Sequence, residues 1–379
     1  MAETWRELLA RWSEAGLLDA ESVDRIRSFE LAHAGSNRLR WPVWIALAFG
    51  ALTLGAGVLL FVSAHWDALS PLARFGLVLL LVAGFHVAAA WTDERFRGLS
   101  ITLHAVGTVA LGAGIFLAGQ IFNLDEHWPG GLMLWAFGAA AAWALLRSWP
   151  QFGLVAVLAP AWLTGEWLVA TKPHPPDWFV PGYPRILLSG LMLLALAYFT
   201  ADRPDPRDTS SRVLNWIGGI LLLPLASALA FLASESTMRV QPVSVTLRTI
   251  GWTAAIGGPL ALSVVLRRTG AWLNALAALW VVGLLQLHRV SGDVALYVWW
   301  AIGASGLAAW GVRESRAVRI NMGAAIFAVT VVSFYFSHVM DKLGRSASLV
   351  GLGLLFLAGG WAIERVRRGL ILQAQGAQI

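Results

Sequence analysis

The chain contains no cysteine. Disulfides, thiolate metal sites and cysteine nucleophiles are excluded, and the redox environment leaves no mark on the sequence. Charge is also scarce. Charged residues make up 13% of the 379, against roughly 25% in an ordinary soluble domain. Lysine occurs only at Lys172 and Lys342, so arginine dominates the net charge of +6. Gly-Lys-Ser/Thr phosphate loops, Gly-x-Ser-x-Gly elbows and His-Glu-x-x-His zinc helices are missing, which removes common signatures of soluble enzymes. No cleavable signal peptide is expected, because the first 40 residues are polar and the first apolar run is too long for an h-region.

What fills the chain instead is hydrocarbon. Hydrophobic residues reach 58% and the mean hydropathy is +0.66. Twelve apolar runs follow one another, at about 43–64, 72–91, 98–121, 130–147, 150–169, 184–200, 212–232, 247–266, 271–288, 294–312, 317–336 and 346–364. A helix needs about 20 apolar residues to cross the hydrocarbon of a bilayer. The expected fold is therefore an all-α membrane protein of about 12 transmembrane helices. Pro160 and Glu166 interrupt the fifth run and the sixth is short, so these two are the weakest spans.

Arginine assigns the sides. With the N-terminus inside, sixteen basic residues fall on the inner side (Arg38, Arg40, Arg95, Arg97, Arg147, Arg203, Arg207, Arg212, Arg267, Arg268, Arg313, Arg316, Arg319, Arg365, Arg367 and Arg368) and eight on the outer. That bias places both termini in the cytoplasm of a bacterial inner membrane. Basic residues scattered singly or in twos and threes at helix ends do not form a phosphate-tracking patch, so no nucleic-acid partner is expected. Tryptophans near run ends, such as Trp41, Trp128, Trp149, Trp272 and Trp361, fit an interfacial belt.

Three regions follow: an amphipathic helical hairpin at 1–40, a transmembrane domain at 41–368 and a short cytoplasmic tail at 369–379. In the hairpin, Trp5, Leu8, Leu9 and Trp12 lie on one helical face. Gly16 is placed to end that helix, and Asp19 to cap a second one. Residues 1–37 have too small a core to stand alone, which makes them a candidate partner-binding element beside the bilayer itself. The segment Gly50–Gly57 echoes Gly107–Gly114 at an offset of 57 residues, suggesting a repeated two-helix hairpin of the kind transporters use. Small residues such as Gly112, Gly114, Gly218, Gly219, Gly303 and Gly306 would let helices approach closely.

An ionisable side chain at the centre of a span costs about 2.5–3.5 kcal/mol on insertion scales, so each one is informative. His86 and His104 lie on either side of Arg95 by nine residues each. In a hairpin they would face one another at similar depth, as a proton relay or half a metal site, or as two neutral imidazoles bonded within the bundle. At the outer ends lie His65, Asp67, Gln120, Asn123, Asp125, Glu166, His288, His338 and Asp341, joined by His127 and His174. Packed in a ring, these would form one polar vestibule. Loop ends are also polar simply because water is there. No cofactor is called for.

Trp12-x-x-x-Gly16-Leu17-Leu18-x-x-Glu21, with Ile26, resembles the start of a bacterial integral-membrane family catalogued as a domain of unknown function. The turn His65-Trp66-Asp67 stands where that family has an Asn-Trp-Asp-like turn, departing at its first position. Gly119-Gln120-Ile121-Phe122-Asn123 also looks familiar. The resemblance covers about residues 5–147. It implies architecture and membrane location, and no reaction. Twelve spans and polar helix ends favour a transporter or permease for a small solute or ion. The alternatives are a non-catalytic scaffold or sensor recruiting a partner through the hairpin, and an enzyme acting on a lipid.

Overall fold

The computed structural model describes residues 5–33, 69–122, 127–171, 184–201, 209–234, 243–287 and 293–339, with isolated positions between 49 and 53 and between 350 and 365. The described residues are helical and contain no strand. The chain divides into two compact units, Met1–Arg74 and Phe75–Ile379.

In the first unit, α1 (Trp5–Glu14) and α2 (Ala20–His33) form where the apolar spacing puts them. Gly16 adopts a positive φ of 68°. Its N–H meets the carbonyl of Ser13 at 3.1 Å while that of Leu17 meets Trp12 at 3.0 Å. This pair of bonds is the Schellman closure, which needs a left-handed residue at its centre. Asp19 then caps α2. Ser22 donates to its carboxylate through hydroxyl and backbone, which holds the acid below the ordinary aspartate value.

The second unit, with the start of α3, contains α3 (Pro71–Thr92), α4 (Arg97–Phe122), α5 (Trp128–Leu146), α6 (Trp149–Ala170), α7 (Pro184–Phe199) and α8 (Thr209–Ser234). It continues with α9 (Val245–Trp252), a π turn at Thr253–Gly257 and α10 (Gly258–Arg267). Then come a 3-10 turn at Arg268–Ala271, α11 (Trp272–Leu287), α12 (Asp293–Arg313), and α13 (Ala317–Phe334), which runs into a second π turn at Tyr335–Val339. Helices thus cover the second to eleventh expected runs. Among the described residues, eight helical stretches are long and apolar enough to cross a membrane. One of them, Val245–Gln286, holds two expected runs, divided at Arg268, where φ turns to 48°. Pro184–Phe199 is apolar but short. The runs 43–64 and 346–364 and the tail 369–379 lie outside the described residues, apart from the isolated positions.

Pro160 does not break its helix. α6 continues through it, although proline removes the bond to the carbonyl four residues back. That carbonyl belongs to Ala156, and the Tyr198 hydroxyl of α7 donates to it at 2.9 Å. A neighbouring helix thereby satisfies the backbone group that proline releases, as hydrocarbon demands. The π turn before Pro259 lies against Gly190, where an added Cβ would stand 2.9 Å from that of Ala255.

The most extensive packing joins α5 to α6, α7 to α8, and α12 to α13. Each pair is connected at the arginine-bearing ends. These pairs straddle the two-helix units suggested by the 57-residue echo, so the pairing follows short connections instead. Glycine sets the spacing: a Cβ on Gly323 would sit 2.7 Å from the Ala304 carbonyl and Ala308 amide, and one on Gly218 would strike the Phe199 backbone. Gly306 differs, with nothing within 4 Å of an added Cβ. The α12–α13 turn repeats the Schellman bonds, Ser315 to Val312 at 3.1 Å and Arg316 to Gly311 at 2.8 Å. Here the left-handed position, with φ 53°, is a serine.

Two stability outcomes follow. Replacing Ser315 by glycine relieves the left-handed strain and raises stability by about 1 kcal/mol, seen as a higher melting temperature in detergent. Tyr198→Phe leaves the Ala156 carbonyl bare and lowers stability by about 1–3 kcal/mol in the same assay; an unchanged melting temperature would refute the role given to the hydroxyl.

Candidate functional site

Two polar clusters are built at the arginine-bearing ends of the second unit. The first begins with His86 on α3 and His104 on α4. Each lies six or seven residues from the helix end nearest Arg95, about 10 Å along the axis at 1.5 Å per residue. Their Nδ1 atoms approach to 2.8 Å and the rings stand 5.1 Å apart with a 39° tilt. Gly107 makes the room, since a Cβ there would sit 2.9 Å from His86 Nε2.

An Nδ1–Nδ1 hydrogen bond needs one donor and one acceptor. One ring carries the proton and the other offers its lone pair. The pair therefore holds at most one positive charge; a second proton would set two donors against each other and break it. The surroundings hold the His104 backbone in place. Gln151 of α6, fully buried, donates its amide to the His104 carbonyl at 3.0 Å. The Thr108 hydroxyl donates to the same carbonyl at 3.1 Å, and the Trp135 indole of α5 donates to the Thr108 carbonyl at 2.8 Å. The Gln151 carbonyl oxygen is buried and meets no donor among the described residues.

A cavity of about 700 Å³ adjoins His104. Asp93, Arg97, Arg147, Ser148, Thr209 and Ser210 stand around it and His104 lines its wall. Arg147 lies over the Trp143 ring at 5.7 Å, and Trp143 and Phe152 close one flank with rings 5.2 Å apart. Among the described residues, two guanidiniums and one carboxylate line the opening. Among the described residues no three His, Asp or Glu side chains converge as metal ligands would.

The second cluster joins three helix ends. Glu314, just past α12, pairs with Arg267 at the end of α10 and with Arg319 in the first turn of α13. The Arg267 and Arg319 side chains are 3% and 4% exposed and Glu314 is 19%. Trp310 lies under both guanidiniums, at 4.7 Å and 5.8 Å. Arg319 also donates to the Thr200 carbonyl at 3.2 Å, and Asn274 donates to the Thr200 hydroxyl at 3.1 Å. Gly270 leaves space for Arg267. The sequence reading places Arg267 and Arg319 among the side-determining arginines and misses Glu314, Asn274, Thr200 and Gln151. The one available signal was Glu314, an acid in an arginine-rich turn.

The described residues hold only part of the expected outer vestibule. Glu166 accepts from the Trp162 indole at 2.8 Å and pairs with His127 at 2.7 Å. His338 stacks on Phe334 at 5.1 Å and meets Tyr297 edge-on at 5.3 Å. Gln120 is exposed at the far end of α4. Among the described residues neither Gln120 nor His338 joins the Glu166 pair. His65, Asp67, Asn123, Asp125, His288 and Asp341, with His174, lie outside the described residues.

Residues 10–174 match the model of a family described as "Predicted membrane protein (DUF2157)", a domain of unknown function. The matched stretch holds the histidine pair, Gln151 and the His127–Glu166 pair, and ends before the Glu314 cluster. No curated protein and no solved structure matches the chain.

Removing one partner from a buried ionic group leaves uncompensated charge at a cost of about 3–5 kcal/mol. Glu314→Gln therefore lowers the unfolding free energy by about 3 kcal/mol, measured as thermal inactivation in detergent. Arg147→Gln, at an exposed end, leaves it within about 0.5 kcal/mol.

Proposed function

We propose that this multi-pass membrane protein is a permease for a small anionic solute, with the His86–His104 pair as its proton-sensitive gate. The cavity of about 700 Å³ that reaches His104 is the observation that carries this reading. Paired imidazoles within two membrane-spanning helices are expensive to keep there, and a purely structural hairpin would not require them. Arg97 and Arg147 favour an anion at the opening. Asp93, the third charged group lining the cavity, limits the net attraction and favours a solute of low charge.

The gate rests on the proton count of the pair. With one shared proton the rings hold α3 and α4 together beside Gln151. A second proton, delivered along the cavity, separates the rings and frees His104 to follow a solute carboxylate or phosphate. We further propose twelve crossings, adding the runs 43–64 and 346–364 to the ten helical segments, with both termini on the arginine-rich, cytoplasmic face of a bacterial inner membrane.

The test uses the full chain in proteoliposomes with an internal pH dye, offered acetate, lactate, succinate or inorganic phosphate. At least one probe should enter with a proton. Gly107→Ala, whose methyl crowds His86, and His86→Leu should abolish the proton signal. Arg147→Gln should raise the half-saturating concentration roughly tenfold, the equivalent of losing one charge-assisted contact. Protein-dependent entry that is unaltered in all three variants, or no entry of any probe, would remove the proposal.

A further inference from the structure

A second cavity, of about 360 Å³, lies among α7, α8, α11 and α12, beyond the family-matched stretch. Its wall is hydrocarbon and indole, including Leu196, Leu222, Leu276, Trp280 and Trp310. It opens sideways: Leu276 and Ile302 on its rim are about half exposed. Along α12 it runs from Trp300 to Arg313, about 20 Å at 1.5 Å per residue. One leaflet, hydrocarbon and headgroup region together, is roughly half of 40–45 Å. The groove therefore has the depth of a single leaflet, and its arginine end coincides with the surface of that leaflet.

That end is equipped for an anion. Arg313 lines the cavity and lies over Trp272 at 5.2 Å. Trp310, one turn away on the same helix face, is 6% exposed. Its indole N–H is buried and meets no acceptor among the described residues, which is costly in an apolar wall. Behind its ring stand Arg267 and Arg319, which hold Glu314 between them. A basic end on an apolar groove between membrane helices is the chemistry that holds an anionic lipid headgroup.

We propose that this cavity binds one acyl chain of an anionic phospholipid from the arginine-side leaflet, with the phosphodiester at Arg313 and an ester or phosphate oxygen accepting from Trp310. The site is separate from the histidine cavity and does not depend on transport.

The probe is phosphatidylglycerol, compared with phosphatidylcholine of the same chains, added to the purified full chain in a neutral detergent. Phosphatidylglycerol should raise the melting temperature more, and native mass spectrometry should retain it selectively. Arg313→Gln should cut that retention roughly tenfold, as loss of one charge-assisted bond does, and Arg313→Lys should restore it. Trp310→Phe, which keeps the ring and removes the N–H, should reduce selectivity. Gly306→Leu fills the groove where the backbone has open space, so the protein stays folded but retains neither lipid. Equal binding of the two lipids by the unaltered protein, or selective retention by Gly306→Leu, would overturn the site. Because the chain has no cysteine, Gly306→Cys reports other occupants: an intermolecular disulfide would put a second copy there, and a disulfide with Leu357→Cys would put the chain's own last apolar run there. Either result replaces the lipid.

Discussion

Hydrocarbon offers a polar atom nothing to bond, so the polar groups of this bundle draw their partners from the protein, several of them from a neighbouring helix. That requirement runs through the second unit. Tyr198 covers the carbonyl that Pro160 releases. Gln151 and Thr108 both donate to the His104 carbonyl. Trp280 and Trp299 exchange indole-to-carbonyl bonds at 2.9 and 3.0 Å. Apolar packing cannot discriminate one helix neighbour from another in lipid, because lipid tails are equally apolar. These directional bonds and the close glycine contacts supply the discrimination. The bonds that fix the bundle also hold the His104 backbone, so the histidine pair and the architecture meet in one network.

Arginine plays two parts, and burial separates them. Arg147 and Arg313 lie at exposed helix ends over tryptophan rings, where a guanidinium can reach the surface of the bilayer. Arg267 and Arg319 occupy equivalent positions in the sequence yet are buried around Glu314. There the cluster ties the α10, α12 and α13 ends to the end of α7 through Thr200. Trp310, which lies under both guanidiniums, also lines the adjoining apolar cavity, so a structural knot and that cavity share a wall.

Much of the helical layout was legible. Ten of the twelve apolar runs carry helices near the expected boundaries, because run length and hydropathy alone govern whether a segment suits a bilayer. Gly16 and Asp19 were legible as stop and start because their local backbone chemistry is self-contained. The juxtaposition of His86 and His104 was readable from equal spacing about a tight turn. Gln151 was not, because it sits third in an apolar helix and reads as a loop-end polar residue. Glu166 and His127 were both legible as polar groups at the outer ends, but their pairing across two helix ends was not. Spacing shows which end of a helix a residue occupies and not which neighbour that end meets.

The sequence by itself determined a membrane-crossing helical chain, the arginine asymmetry of its ends and the composition of its turns, since these depend on residues near one another along the chain. Only the tertiary structure decided that Pro160 would be tolerated, that Glu314 would hold two buried arginines, that Gly306 would face open space while Gly323 touched backbone, and that a polar and an apolar cavity would open in different parts of one bundle. Such outcomes hang on which helices lie side by side, and in lipid that choice belongs to long-range hydrogen bonds and small-residue contacts that no local pattern encodes.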